Sequence, residues 1–161
     1  MPNVFRPDID EHGERDGFRW RGESVGLKAG GERLGASLYE LPPGQSTFPY
    51  HYHLANEELL VVLQGQPHLR DPEGWRQLEE GEVVAFPVGE RGAHQLVNRT
   101  AGEVRSLMIS EMRAPDIGVY PDSGKVRVGE HAPGSGREGM SLSFRIEDAR
   151  DYWDGEPEVP A

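Results

Sequence analysis

The sequence predicts an all-β fold, and three observations carry that prediction. Apolar runs of strand length recur between Arg33 and Met112 at the roughly 8–12-residue spacing of sandwiches and barrels. None of these stretches shows the 3.6-residue apolar period of an amphipathic helix. Turn formers are plentiful: 21 Gly and 13 Pro make up about a fifth of the 161 residues. That is enough to punctuate many short strands, yet below the roughly 25–30% typical of low-complexity chains. The length suits one domain.

Residues 1–32 are polar and Gly-rich, anchored only by Phe5, Phe18 and Trp20, and read as an arm with one strand near Phe18–Val25. Arg33–Leu41 is the first barrel strand, closed by Pro42-Pro43-Gly44. Phe48–His53 and Glu58–Leu63 follow, the latter ending at Gly65. Gln66–Arg70 and Trp75–Leu78 flank Asp71-Pro72-Glu73-Gly74, a type I turn by residue choice. Glu82–Phe86, His94–Asn98 and Val104–Met112 complete the set. Ala114–Gly139 reads as a loop rich in Pro, Asp and Gly, and Met140–Ile146 as one more strand by alternation of Leu142, Phe144 and Ile146. Asp148–Trp153 is expected as a short helical turn or edge segment, and Glu156 to Ala161 should fray.

Composition excludes several function classes. No cysteine is present, so disulfide scaffolds, Cys-ligated zinc, iron–sulfur clusters and cysteine nucleophiles are ruled out. A formal net charge of −11 opposes nucleic-acid binding and a polybasic membrane anchor. The longest apolar run, Leu59–Leu63, is far short of the roughly 20 residues of a membrane span. The N-terminus lacks an apolar signal segment, and a cytoplasmic protein is expected. Asn98-Arg99-Thr100 matches a glycosylation sequon but reads as a turn after a strand.

The chemistry concentrates in histidine. Six are present, and His51-Tyr52-His53 places two at i and i+2 of a strand, on one face. Glu58 opens the next apolar strand and His94 begins another. Three imidazoles and a carboxylate suit a divalent transition metal, and an ion preferring six ligands keeps positions for water or substrate. Taken alone, the four also fit unrelated polar residues at strand ends.

Their spacing decides between these readings. The order Gly44, six residues, His51-x-His53, four residues, Glu58, six residues, Gly65 is followed by Gly81, five residues, Pro87-x-Gly89, four residues, His94, three residues, Asn98. This resembles the two consecutive signature motifs of the cupin superfamily, with a one-residue-longer loop in each. The resemblance implies a double-stranded β-helix, a jelly-roll barrel of two antiparallel sheets over about residues 26–112, with an N-terminal arm (1–25) and a C-terminal arm (113–161). It also implies that His51, His53, Glu58 and His94 bind one divalent metal ion, Zn, Fe, Mn or Ni, inside the barrel. The motif selects Glu58 over Glu57, which puts Leu60 and Val62 on the ligand side of that strand.

The surroundings of these motifs resemble single-domain bacterial cupins, some assigned by analogy as sugar-phosphate isomerases. A metal-dependent isomerase, an iron-dependent dioxygenase and a non-catalytic metabolite sensor all stand as readings, because fold does not settle function. A small polar metabolite is the expected ligand. Phe48 and Gln64 are candidate pocket-lining residues, the latter sharing strand parity with Glu58. Tyr50 and Tyr52 should point away from the metal. Arg70, Arg91 and Arg105 are cations available to an anionic substrate, though a solvated face suits each. His68 reads as a surface residue. Gly134-x-Gly136-x-x-Gly139 lacks the strand-then-helix frame of a dinucleotide site and reads as a flexible loop. Exposed sheet edges and the aromatic arms (Trp20, Tyr152, Trp153) predict a homodimer.

Overall fold

The computed structural model describes residues 1–158, so the expected fraying from Glu156 to Ala161 lies partly outside the described residues. The architecture is antiparallel β, with one short helix, α1 (Val25–Lys28). A six-stranded sheet contains, in chain order, β1 (Glu11–Arg15), β2 (Phe18–Glu23), β3 (Leu34–Leu41), β5 (Glu58–Gln64), β8 (Val83–Phe86) and β10 (Val104–Glu111), arranged β1-β2-β3-β10-β5-β8. A four-stranded sheet has the order β13 (Ser141–Arg145), β12 (Lys125–Gly129), β11 (Asp116–Tyr120), β4 (Tyr52–His53). A three-stranded sheet contains β7 (Gly74–Gln77), β6 (His68–Asp71) and β9 (Gln95–Val97). The two smaller sheets are tied together by a bridge between His51 and His94.

The core fills one end of the barrel. Leu60 and Val62 of β5 pack with Leu69 of β6, Leu96 of β9, Leu78 and Phe86. Glu58, Leu60 and Val62 thus face inward, while Glu57 is exposed. The alternation then breaks. A β-bulge shifts the pairing of β10 with β5 between Arg105 and Ser106, so Arg105 lies opposite Gln64 and Ser106 opposite Val62.

Turn chemistry sets the ends of the strands. Asp71 Oδ1 accepts from the backbone N–H of Glu73 (2.9 Å) and Gly74 (3.2 Å), closing the β6–β7 hairpin. Asn98 is fully buried, and its Nδ2 donates to the carbonyls of Leu41 (2.8 Å) and Gly102 (2.7 Å). Its amide is therefore a structural clasp between two loops.

Three segments differ from the sequence-based expectation. Strand β1 pairs with β2 along its whole length although it carries no large apolar residue. It lies at the edge of the six-stranded sheet, where a charged strand is tolerated and blunts further pairing. The stretch 114–139, expected as a loop, contains β11 and β12, paired in full register around Pro121–Gly124. Its turn residues masked two short alternating runs. Gly124, at φ +57°, supplies the left-handed position that closes the turn. Trp20, expected to face a partner, packs inside the molecule, edge-on to Tyr39 (ring centroids 5.1 Å apart) and tilted against Phe48 (5.7 Å). No helix among the described residues is long and apolar enough to cross a membrane.

Candidate metal centre

Against the apolar core, which meets them through Phe86 and Leu96, stand four titratable side chains. His51 and His94 are paired face to face by backbone hydrogen bonds: His51 N–H donates to the His94 carbonyl (3.1 Å), and His94 N–H to that of His51 (2.8 Å). Two residues on, His53 of β4 pairs with Gly118 of β11, so it stands beside His51 on the same face. The ring centroids of His51 lie 5.1 Å from His53 and 4.7 Å from His94. Glu58 reaches in from β5 of the six-stranded sheet. Its Oε2 is 3.6 Å from His53 Nε2 and 3.4 Å from His94 Nε2. His51, His53 and Glu58 each offer a ligand atom within 4.8 Å of the others.

Each imidazole is fixed through its other nitrogen. His51 Nδ1–H donates to the Pro49 carbonyl (2.8 Å), and His94 Nδ1–H to the Gly92 carbonyl (2.9 Å). His53 Nδ1–H donates to the Asp116 carboxylate, 3.0 Å from Oδ1 and 3.1 Å from Oδ2. With all three Nδ1 atoms used as donors, the Nε2 lone pairs are the ones left over. Such outer hydrogen bonds fix tautomer and ring orientation in metal-binding histidines. Stacking adds a second restraint: Phe86 lies parallel to His94 (3.8 Å between centroids) and Tyr120 to His51 (5.6 Å).

Electrostatics agree with a ligand role. Burial lowers the His51 imidazole to about 4, helped by the neighbouring His53, and holds His94 well below its ordinary value. Both are neutral, as ligands must be. Burial also acts to lower His53, but the Asp116 hydrogen bond and the charges of Glu58 and Asp116 outweigh it and raise this group. Burial raises the Glu58 carboxyl above its usual range. Glu58 Oε2 is buried without a hydrogen-bond partner among the described residues. An orphaned carboxylate oxygen facing imidazole lone pairs is what a divalent cation would satisfy. The cluster of His51, His53 and Glu58, nitrogen and carboxylate donors without sulfur, could hold a metal ion.

A cavity of about 240 Å³ opens onto these atoms. Phe48 lines it; Gln64 does not, being exposed at the far end of β5 beyond the bulge that breaks the strand parity. The other walls carry hydroxyls (Ser37, Ser106, Ser110, Thr47), the phenols of Tyr39 and Tyr120, and Arg127. Burial raises both phenols, that of Tyr39 to about 12, so they stay protonated and act as donors.

Tyr50 and Tyr52 are not among the lining residues. The Arg70 guanidinium stacks over the Tyr50 ring (4.0 Å) and forks onto Asp122 (2.5 and 2.9 Å). Arg105 is bound to Glu40 (2.6 Å) and Arg91 is exposed, so none of the three arginines singled out from sequence reaches the cavity. His68 is half-buried, with an unpartnered Nδ1, rather than a surface residue. Asp116, Tyr120 and Arg127 were missed by sequence reasoning. All three lie in the segment read as a loop, and only the Ile117/Val119 and Val126/Val128 alternation there signalled strands.

Comparison with known proteins agrees with this geometry. Residues 37–110 match the family model described as "Cupin domain". The fold is that of a cupin β-barrel. The fold matches a "putative sugar phosphate isomerase" from Acidithiobacillus ferrooxidans at 24% identity and TM-score 0.78, covering 92% of this chain and 91% of that one. It matches a cupin-superfamily sugar phosphate isomerase from Silicibacter pomeroyi at 22% identity and TM-score 0.76, covering 96% and 98%. The polyketide cyclase RemF of Streptomyces resistomycificus aligns less fully, at 23% identity and TM-score 0.55 over 69% of this chain and 79% of that one. At these identities the likeness is one of fold. No curated protein sequence matches the chain.

Proposed function

We propose that this protein binds one divalent metal ion through Nε2 of His51, His53 and His94 and the carboxylate of Glu58, and isomerises a small hydroxylated carbonyl compound of the sugar-phosphate class. One observation carries the metal reading: every Nδ1 of the three histidines is tied outward, while Glu58 Oε2 is left buried and unpartnered beside two of the Nε2 atoms. The reaction class is suggested by the two full-length structural neighbours. It is compatible with a cavity whose walls present several hydroxyls.

When bound, a divalent ion supplies Lewis-acid polarisation of a substrate oxygen. The chain's own groups do the rest. Ser37, Ser106 and Ser110 are placed to exchange hydrogen bonds with substrate hydroxyls. The Tyr120 phenol, kept protonated by burial, donates toward a substrate oxygen at the mouth. Met108 and Leu96 close the floor against water.

The test is to purify the protein without chelator, measure bound metal, and assay aldose and ketose phosphates before and after chelation. We expect one metal equivalent per chain and an isomerisation that chelation abolishes. Glu58→Ala should lose the metal, and Glu57→Ala should keep it. Oxygen consumption without isomerisation would replace this reading with a dioxygenase. A chain that takes up no metal would remove it.

A homodimer is proposed as the assembly. Edge strand β13 and the turn after it expose Leu142, Phe144 and Ile146, at 46%, 50% and 53%, an arrangement suited to pairing with a second copy. Sedimentation at micromolar concentration should return the dimer mass, and a clean monomer would refute it.

A further inference from the structure

Among the described residues, Arg127 is the one lysine or arginine that lines the cavity, and its surroundings are built to hold it there. It projects from β12 between Asp116 and the Pro133–Gly134 loop, which also lines the cavity. Its Nε donates to Ser141 Oγ (3.2 Å). Its Nη1 lies 3.7 Å from Asp116 Oδ2, too far for a hydrogen bond. Neither terminal nitrogen donates a hydrogen bond to a side chain among the described residues. Gly129 explains how the guanidinium fits: a Cβ there would sit 3.1 Å from both terminal nitrogens. The side chain at 73% buried is held at its stem and its Nε, with its fork free.

Charge balance says what the fork is for. Of the acidic groups near the site, Glu111 is paired with Arg113 at 2.6 Å, which leaves Asp116 and Glu58. Those two carboxylates cancel the charge of a divalent ion, so Arg127 leaves the loaded cavity with one positive charge. This holds in a chain whose net charge is −11. A cationic cleft in an acidic protein draws anions to one place on the surface.

We infer that Arg127 is the substrate's anion anchor: its free fork takes an oxyanionic group, phosphate or carboxylate, of a small hydroxylated molecule whose other end lies at the metal ligands. This rests on the proposed function and deepens it by naming the residue that selects anionic substrates. A guanidinium with two free N–H₂ arms suits such groups because it binds them by two parallel hydrogen bonds.

The test titrates inorganic phosphate, and separately acetate, into the full-length protein in metal-loaded and chelator-treated forms, beside Arg127→Met and Arg127→Lys. We expect phosphate or acetate affinity to fall at least tenfold in Arg127→Met in both forms. Arg127→Lys, which keeps the charge but loses the fork, should fall between that variant and the parent. The anion that binds more tightly identifies the substrate's charged group. Equal affinity in Arg127→Met and parent would overturn the inference, as would a parent that binds neither anion. Metal content and melting temperature of the same samples separate the two ideas. A parent without metal sinks the isomerase reading, while the chelator-treated titration still judges Arg127.

Discussion

The two walls that hold the imidazoles are built by different means. His51 and His94 are buttressed by carbonyls two residues back in their own chain segments, Pro49 and Gly92. His53 depends on Asp116, 63 residues further along the chain. A local buttress comes with the turn that makes the strand. A remote one requires that β4 and β11, far apart in the chain, first pair side by side in one sheet. The first kind of support is as secure as the backbone; the second is as secure as one buried carboxylate and its neighbours.

The local wall should break through the backbone. Gly92 sits so close to Pro87 that a Cβ would lie 1.8 Å from the Pro87 carbonyl oxygen. Gly92→Ala must therefore displace the loop that carries the His94 buttress. We expect a loss of about 3 kcal/mol in chemical denaturation, the upper end of the usual overpacking range, together with loss of metal.

The remote wall should break through chemistry alone. Asp116 is fully buried and accepts from His53 Nδ1 and from Asn56 Nδ2 (2.7 Å). Asp116→Ala orphans both donors, at about 1–3 kcal/mol each. Loss of an outer-sphere carboxylate typically lowers metal affinity about 10–100-fold. Calorimetric metal titration should show that loss, with no comparable change for exposed Asp122→Ala. Equal affinities would mean that His53 is oriented by something other than Asp116.

Acid sharpens the comparison with a smaller effect. His51 is lowered from 6.5 to about 4 by burial, so the unfolded chain binds a proton that the metal-free fold refuses between these values. Its contribution is intact above pH 6.5 and is lost as pH falls toward 4, by about 3 kcal/mol in all. His94 acts in the same sense. His53, raised by Asp116 and Glu58, acts in the opposite sense: its contribution is present below pH 6.5 and lost as pH rises through its folded value. Denaturant midpoints of chelator-treated protein should therefore fall more steeply from pH 7 to 6.5 in His53→Gln than in the parent, and equally steeply from 6.5 to 4. A parent midpoint that does not fall over this range would contradict the burial of His51 and His94.

The same contrast explains what was legible in the sequence. The barrel strands from Leu34 to Glu111 are separated by Gly, Pro and Asp turns and alternate at period two, so their number and order can be read directly. His51 and His53 stand at the interval that puts two residues on one face of a strand, and Glu58 and His94 at intervals that resemble the cupin motifs. Tyr120 and Arg127 reach the cavity, and Asp116 reaches His53 behind it, through pairing of β11 with β4 and β12, a long-range event that leaves no interval to measure. Gln64 shows the opposite failure. Its parity holds from Glu58 to Val62, and a bulge at Leu63, the β5 residue left unpaired between Arg105 and Ser106 of β10, takes Gln64 out of register. Strand β1 was invisible because an edge strand of charged residues needs no apolar pattern.

The four side chains come from the bridge at 51 and 94, strand β4, and strand β5 of the six-stranded sheet. An ion held by all of them is a cross-link between sheets, formed only after folding and absent from the unfolded chain. By mass action each tenfold excess of free ion over its dissociation constant adds about 1.4 kcal/mol to the folded state. The melting temperature of this protein would then depend on the metal content of the buffer. A chelator would act on it as a denaturant does, without touching a single hydrogen bond.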